Sequence, residues 1–399
     1  MLDIPARTVY VDGEVRRRPN CRARLERLLP HVRCGDIRNL DAEAYEALWR
    51  MPKRRHGKDD FGDEAVVAFT AFDEGRRDWY YHLRRDDEIF KGRRVHCQRA
   101  IELNIVEGCV FRCAYCGFGR RIIFSLDVEA FMQGLDGVFA GAPGQTLYKY
   151  SNMTDLPPFE PEYGAVRPMV ERFARDPRRY LMLFTKSDAV EFLLDLDHGG
   201  HTIISWSLTL ETASRAFDKR TATLGERLSA MRKAEAAGYR VRARLSPIVP
   251  VRGWREEYAS LLERLFSAAR PDIVTLELLG WMDYEDLVRI LPPDLLDPAM
   301  LEAARAAADA LRGDRSGPFP ESTHQEIYRF CVETVRRLSP RTPVAVCHGT
   351  PETWEALGPL MGMTPDRYIC NCGPTSAPGD AIYDRAWGGG RTAGGRAGE

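Results

Sequence analysis

The sequence predicts an α/β protein on a parallel sheet, and two patterns carry that expectation. Between residues 101 and 279, short apolar, β-branched runs alternate with longer segments of helical periodicity. A tight triplet of cysteines directly follows the first run, where parallel α/β folds place their chemistry. The expected strands are Ile101–Val106, Thr146–Tyr150, Tyr180–Thr185, Thr202–Leu208, Arg240–Pro247 and Ile273–Leu279, with helices such as Val128–Leu135 and Gly225–Ala237 between them. Six such units imply an open doubly wound sheet or a partial barrel. Residues 1–100 read as a charged α/β extension, in which RRRPN and KRRHGKDDFGDE look like exposed loops. The units are expected to end near residue 290. Residues 291–385 form a Cys-containing extension with a helix at Gln325–Leu338, a short strand at Pro343–Cys347 and a helix at Pro351–Leu357, followed by a disordered tail over 386–399.

With 399 residues, 44% hydrophobic and 29% charged, the chain has the composition of a folded soluble protein. The amino terminus lacks the apolar core of a signal peptide and no long apolar run occurs, so a cytoplasmic protein without membrane contact is expected. A net charge of −1 argues against a generic polyanion binder. Of the 57 basic residues only seven are lysine, which makes a lysine at the end of an apolar strand, Lys186, conspicuous.

Ten cysteines in a reducing compartment point to metal or catalytic chemistry where they cluster. Cys109, Cys113 and Cys116 form a C-x3-C-x2-C triplet. Three thiolates leave one iron of a [4Fe–4S] cluster open, the condition for catalysis at a metal. A zinc site would call for a second pair of ligands downstream, and a redox dithiol would leave Cys109 unexplained. Cys347, beside His348, and the Cys370-Asn-Cys372 pair are candidates for a second cluster or metal, a hydrogen donor or structural thiols. Cys21, Cys34, Cys97 and Cys331 stand alone and read as structural.

The triplet, with Tyr115 before its last cysteine, resembles the signature of the radical SAM superfamily. The resemblance implies a partial (β/α)6 TIM-like barrel and a [4Fe–4S] cluster whose open iron is chelated by S-adenosylmethionine. Reductive cleavage of SAM would give a 5′-deoxyadenosyl radical that abstracts hydrogen from substrate, with an electron donor such as flavodoxin or ferredoxin as partner. Further pieces are similar to the spore photoproduct lyase family: Arg7-Thr-Val-Tyr-Val-Asp12, Phe184-Thr-Lys186, Ser207, Asp218-Lys-Arg220, Ala237-Gly-Tyr239, Ser246-Pro-Ile248, Gly253-Trp254 and Tyr258 fall in that family's order. The resemblance implies that Lys186 meets the SAM carboxylate, Thr154 and Asp155 the SAM amino group, Ser207 SAM itself, and Tyr115 the adenine.

Three departures bear on substrate. Asn152 stands where the lyases carry a cysteine that returns hydrogen to the product radical, and an amide N–H is too strong a bond to do so. Gly117 replaces a tyrosine of their radical relay. Their Lys/Arg/Tyr/Gly-rich DNA-holding stretch is not recognisable between 290 and 340. With the neutral charge, these favour a nucleoside, sugar or other small metabolite over nucleic acid. The alternatives are a photoproduct-lyase-like repair enzyme using a C-terminal cysteine as donor, and a non-enzymatic metal or iron–sulfur binding module.

Overall fold

The structure is a computed structural model that describes residues 3–51, 65–72, 80–82, 95–119, 121–218 and 220–387. The KRRHGKDDFGDE loop, Lys219 and the glycine-rich tail from 388 onward lie outside the described residues. In chain order the strands are β1 (Ile4–Val11), β2 (Val32–Arg33), β3 (Ile37–Asn39), β4 (Ala65–Thr70), β5 (Tyr80–His82), β6 (Ala100–Leu103), β7 (Val106–Glu107) and β8 (Arg121–Ser125). They continue with β9 (Leu147–Tyr150), β10 (Tyr180–Thr185), β11 (Thr202–Leu208), β12 (Arg240–Ile248), β13 (Val274–Leu278) and β14 (Val344–Val346).

These strands make two sheets. One has the order β2-β1-β4-β8-β7, with β3 also beside β1; the other runs β14-β13-β12-β11-β10-β9-β6-β5. In the second sheet β6 and β9 to β14 are all parallel, with β5 added antiparallel at the edge. This curled parallel sheet is the expected partial TIM-like barrel. Its strands start and stop within a residue or two of the runs read from the sequence, except that Ile101–Val106 divides into β6 and β7, which enter different sheets. The short strand expected in the C-terminal extension is β14, a seventh parallel strand beside β13. Residues 386 and 387, expected in the tail, complete a helix over Ala381–Trp387.

Both faces of the curled sheet are covered, for different reasons. On the convex face, helices present stripes at 3.6-residue spacing, as in Val166–Ala174, which buries Val166, Met169, Val170 and Phe173. The helix Leu224–Ala236 is opened by a capping box in which Thr223 and Glu226 satisfy each other's backbone. The concave face is polar along β12, where Arg240, Arg242, Arg244 and Ser246 recur at the two-residue period of a strand. That face is closed from below by the C-terminal segment. Ala377 packs against Leu147, Met182 and Ile203, while Ile369 and Tyr383 pack against Ile273 and Ala345.

The Arg242 guanidinium, fully buried, fastens this segment. It donates from Nε to Asp272 at 2.9 Å, from Nη1 to the Asn371 carbonyl at 2.5 Å, and from Nη2 to the Ser376 carbonyl. Asp272 in turn accepts from the Tyr383 hydroxyl at 2.5 Å, and its carbonyl accepts from the Trp387 indole at 3.1 Å. Removing one member of such a pair strands a buried charge. Arg242→Ala is therefore expected to lower unfolding free energy by about 3–5 kcal/mol and to make residues 370–387 protease-sensitive. Lys233→Ala, which breaks only an exposed pair with Glu191, should change stability by less than about 1 kcal/mol; denaturant melts and limited proteolysis read both.

Candidate functional site

The thiol loop springs from the point where the chain crosses between the sheets. Strand β6 pairs with β9 in the barrel, and three residues later β7 pairs antiparallel with β8 in the other sheet, Glu107 opposite Ile123. Arg121 on β8 holds the crossing by donating to the buried Glu107 carboxylate and to the Leu48 carbonyl. Gly108 then turns with φ +103°, and a Cβ there would lie 1.9 Å from the Arg121 carbonyl oxygen, so no side chain fits. The loop is tied to the barrel ends as well. Gly108 N–H donates to the Met153 carbonyl at 3.2 Å, the Thr154 hydroxyl to the Gly108 carbonyl at 2.6 Å, and Ala114 N–H to the Phe217 carbonyl at 3.0 Å.

Cys109 and Cys116 are partly exposed and Cys113 is buried. Burial pushes the Cys109 and Cys113 thiols well above the ordinary range. A single tetrahedral zinc, with Zn–S bonds of about 2.3 Å, would hold its thiolates roughly 4 Å apart. Among the described residues the set of such donors converging within 4.8 Å is Glu277, Cys347 and His348, not the triplet. Three thiols brought into one loop suit a polynuclear cluster, for which thiolates are the natural ligands. The donor set therefore fits a [4Fe–4S] cluster held by Cys109, Cys113 and Cys116.

Around the loop, the expected SAM contacts divide. Lys186, at the end of β10, donates to the Tyr115 hydroxyl and to the buried Asp218 carboxylate. Tyr115 also packs edge-on against Phe217, with ring centroids 4.9 Å apart. Lys186 and Tyr115 are thus one unit, and Asp218 belongs with them. Asp155 spends both oxygens on the turn that carries Lys186, accepting from the Thr185 hydroxyl at 2.7 Å and Lys186 N–H at 2.6 Å. Burial nevertheless pushes its carboxyl up to about 7. Thr154 is committed to the thiol loop. Ser207 is buried, and its carbonyl accepts from the Arg227 guanidinium at 2.7 Å.

A cavity of about 290 Å³ opens beside Tyr115 and Cys116 at the carboxyl ends of the barrel strands. Asn152 lines it, and its amide donates to Glu102 at 3.1 Å, the carboxylate that also pairs with Lys149 at 2.5 Å. The same lining brings together Cys347, Cys370 and Cys372, far apart in sequence from the triplet. Cys97, read from the sequence as structural, lines the same cavity. The neighbouring Gln98 explains its placement. Its side chain clamps the C-terminal loop, donating to the Tyr368 carbonyl at 2.7 Å and accepting from Thr375 N–H at 3.3 Å. Hydrogen bonding with Cys372, together with burial, raises the Cys370 thiol well above its ordinary value. The missed signal is the polar alternation of β12, which marks the concave face as one that a polar segment must fill.

A loop with three cysteines follows the first strand of the partial barrel, the arrangement that the resemblance to radical SAM proteins implies. Residues 90–281 match the family model described as spore photoproduct lyase. Curated relatives include the spore photoproduct lyases of Bacillus subtilis, 28% identical over 182 residues (43% of this chain, 53% of that protein), and Clostridium acetobutylicum, 25% identical over 175 residues (41% and 51%). The matched stretch spans about half the length of these relatives. Two solved structures of spore photoproduct lyase variants share the fold at TM-scores of 0.64 and 0.63, with 16% and 17% identity over 87% of this chain and 99% of theirs. The second holds AdoMet and dinucleoside spore photoproduct. Over residues 90–281, a little under half of its length, the chain is similar to the spore photoproduct lyase family.

These relatives overturn the expectation of a small-metabolite partner. Net charge misled because it measures long-range phosphate attraction over the whole surface, whereas a lesion held in a pocket is recognised by a few local groups. Among the described residues no helix is long and apolar enough to cross a membrane.

Gly108→Ala is expected to cost more than about 2 kcal/mol, from backbone strain and overpacking, and to reduce the iron bound after reconstitution. Gly137→Ala, in the helix Leu135–Gly141 with open space around it, should be neutral or stabilising by up to about 1 kcal/mol. Thermal melts and iron quantitation of the two variants check the contrast.

Proposed function

We propose that this protein is a radical SAM lyase acting on a dinucleoside lesion of the spore photoproduct type, and that Cys372 returns the hydrogen atom that Asn152 cannot supply. The substrate class rests on the names of the curated relatives and on the dinucleoside spore photoproduct held by proteins of the same fold. The observation that carries the donor assignment is that Cys372, partly exposed, lines the cavity shared by Asn152 and Cys116.

Cys109, Cys113 and Cys116 would hold the [4Fe–4S] cluster, and Lys186 and Tyr115 would meet the carboxylate and adenine of SAM. When bound, cluster and SAM supply the hydrogen abstraction that starts the reaction. The chain's own residues supply the rest. Asp155 fixes the turn that presents Lys186, and Asp218 holds the Lys186 side chain beside the loop. Arg244 and Lys149 lie over the Phe184 ring at 5.1 and 5.7 Å, giving one wall the mixture of cation and aromatic face on which bases stack. At the end of the reaction the Cys372 S–H bond breaks and a C–H bond forms on the product radical. A thiyl is left, which one electron from a flavodoxin- or ferredoxin-type donor and one proton from solvent restore to the thiol.

With the anaerobically reconstituted protein, reductant, SAM and dinucleoside spore photoproduct, Cys113→Ala should abolish both SAM cleavage and repair. Cys372→Ala should keep SAM cleavage while repaired product per SAM consumed falls at least tenfold, about 1.4 kcal/mol in barrier terms, and abortive adducts accumulate. Chromatography of nucleosides and 5′-deoxyadenosine separates the outcomes. Full repair by the Cys372 variant would discard the donor assignment, and no turnover by the unaltered protein would discard the substrate.

A further inference from the structure

We infer that Glu277, Cys347 and His348 form a second metal site, for a single zinc ion, with its fourth position open to the cavity. The site shares its cavity with Cys116 and with Cys372, the thiol proposed as donor, but uses none of those thiols as a ligand.

The three side chains converge because of strand register. Leu276 on β13 pairs with Val346 on β14, so the next residues along, Glu277 and Cys347, stand side by side at neighbouring strand ends about 5 Å apart. Cys347 N–H donating to the Leu276 carbonyl at 2.9 Å keeps the two chains together at that point. Both residues face the concave side. His348 would point away if the strand continued, but it adopts φ +55°, a left-handed conformation unfavourable for a side chain of this size, and lies with Nδ1 3.4 Å from the Cys347 sulfur. That backbone is held from outside. His96 N–H donates to the Gly349 carbonyl at 2.9 Å, and the Trp281 ring, on a residue that is itself at φ +67°, packs against the His348 imidazole at 5.8 Å. Two non-glycine residues in left-handed backbone on adjacent strand ends, turned to the same cavity, mark a site the fold maintains at a cost.

One carboxylate oxygen, one sulfur and one imidazole nitrogen of this trio lie within 4.8 Å of one another, close enough for a single ion to draw all three into a tetrahedral set. The mixture of thiolate, imidazole and carboxylate is that of zinc rather than of a hard cation. The carboxylate is oriented as a ligand should be, its Oε2 accepting from Arg244 at 2.5 Å and from the Ser246 hydroxyl at 2.7 Å. Charge closes the case for an open fourth position. Thiolate and carboxylate balance the dication, and Arg244 beside them leaves one positive charge, which an anionic oxygen entering from the cavity would neutralise. Three protein ligands with a fourth place facing a cavity is the pattern of a reactive rather than a structural zinc.

The test reads metal, not turnover. The full chain, unaltered and with Cys109, Cys113 and Cys116 all replaced by Ala, is titrated with zinc against a chromophoric chelator and separately with cobalt(II). One equivalent should bind to both, and cobalt should show a thiolate charge-transfer band. His348→Ala and Cys347→Ser should weaken zinc at least tenfold and Cys347→Ser should erase the band. Ser246→Ala, which leaves every ligand in place, should weaken zinc about tenfold through the loosened carboxylate. Zinc uptake indifferent to His348 and Cys347, or lost with the cluster triplet, would overturn the site. So would iron and sulfide bound in a Cys347-dependent way, which would mean a second cluster. Lesion repair can fail with zinc binding intact, and zinc binding can fail with repair intact, so the two proposals fall separately.

Discussion

Arg242 is the interaction on which the shape of the cavity depends. Its guanidinium sits on the concave face of a parallel sheet, a place where a side chain has no water and must find every partner within the protein. The partners it finds are the Asp272 carboxylate and the carbonyls of Asn371 and Ser376. Those carbonyls belong to the segment carrying Cys370 and Cys372, so satisfying one buried charge also fixes two thiols against the barrel mouth. Tyr383 and Trp387 extend the same network through Asp272, and Gln98 clamps the other side of the loop. The segment from Cys370 to Trp387 is thereby given a unique position.

A second constraint acts on the thiol loop. The chain leaves one sheet at Leu103 and enters the other at Val106, and the loop must begin within a residue of that crossing. Gly108 allows the backbone to pass against Arg121 at a distance no Cβ tolerates. The N-terminal sheet is therefore not an appendage to the barrel. Through β7, β8 and the buried Glu107–Arg121 pair it holds the first cysteine from behind, while Met153, Thr154 and Phe217 hold the loop from the barrel side.

The barrel was legible because its signals are local. Strands from Leu147 to Leu278 announce themselves by apolar, β-branched runs, and helices such as Leu224–Ala236 by periodicity and capping chemistry. The N-terminal strands were less legible because β1, β4 and β8 pair across long intervals of chain. The triplet stands out by its spacing, and Lys186 by the scarcity of lysine around it. Net charge, by contrast, pointed to the wrong partner class, since a sum over the surface carries no information about a cavity walled by Arg244, Lys149 and Phe184.

Sequence alone determined the class of chemistry, because ligand type and spacing lie within eight consecutive residues and need no fold to be read. It also determined that Asn152 cannot do a thiol's work, since bond strength is a property of the side chain itself. Only the tertiary structure decided which distant thiols face that residue. Cys97, Cys347, Cys370 and Cys372 meet across a cavity through strand register at β13 and β14, the Gln98 clamp and the buried guanidinium of Arg242. Those are long-range pairings, fixed by the need to satisfy buried polar groups, and no local pattern in the chain announces them.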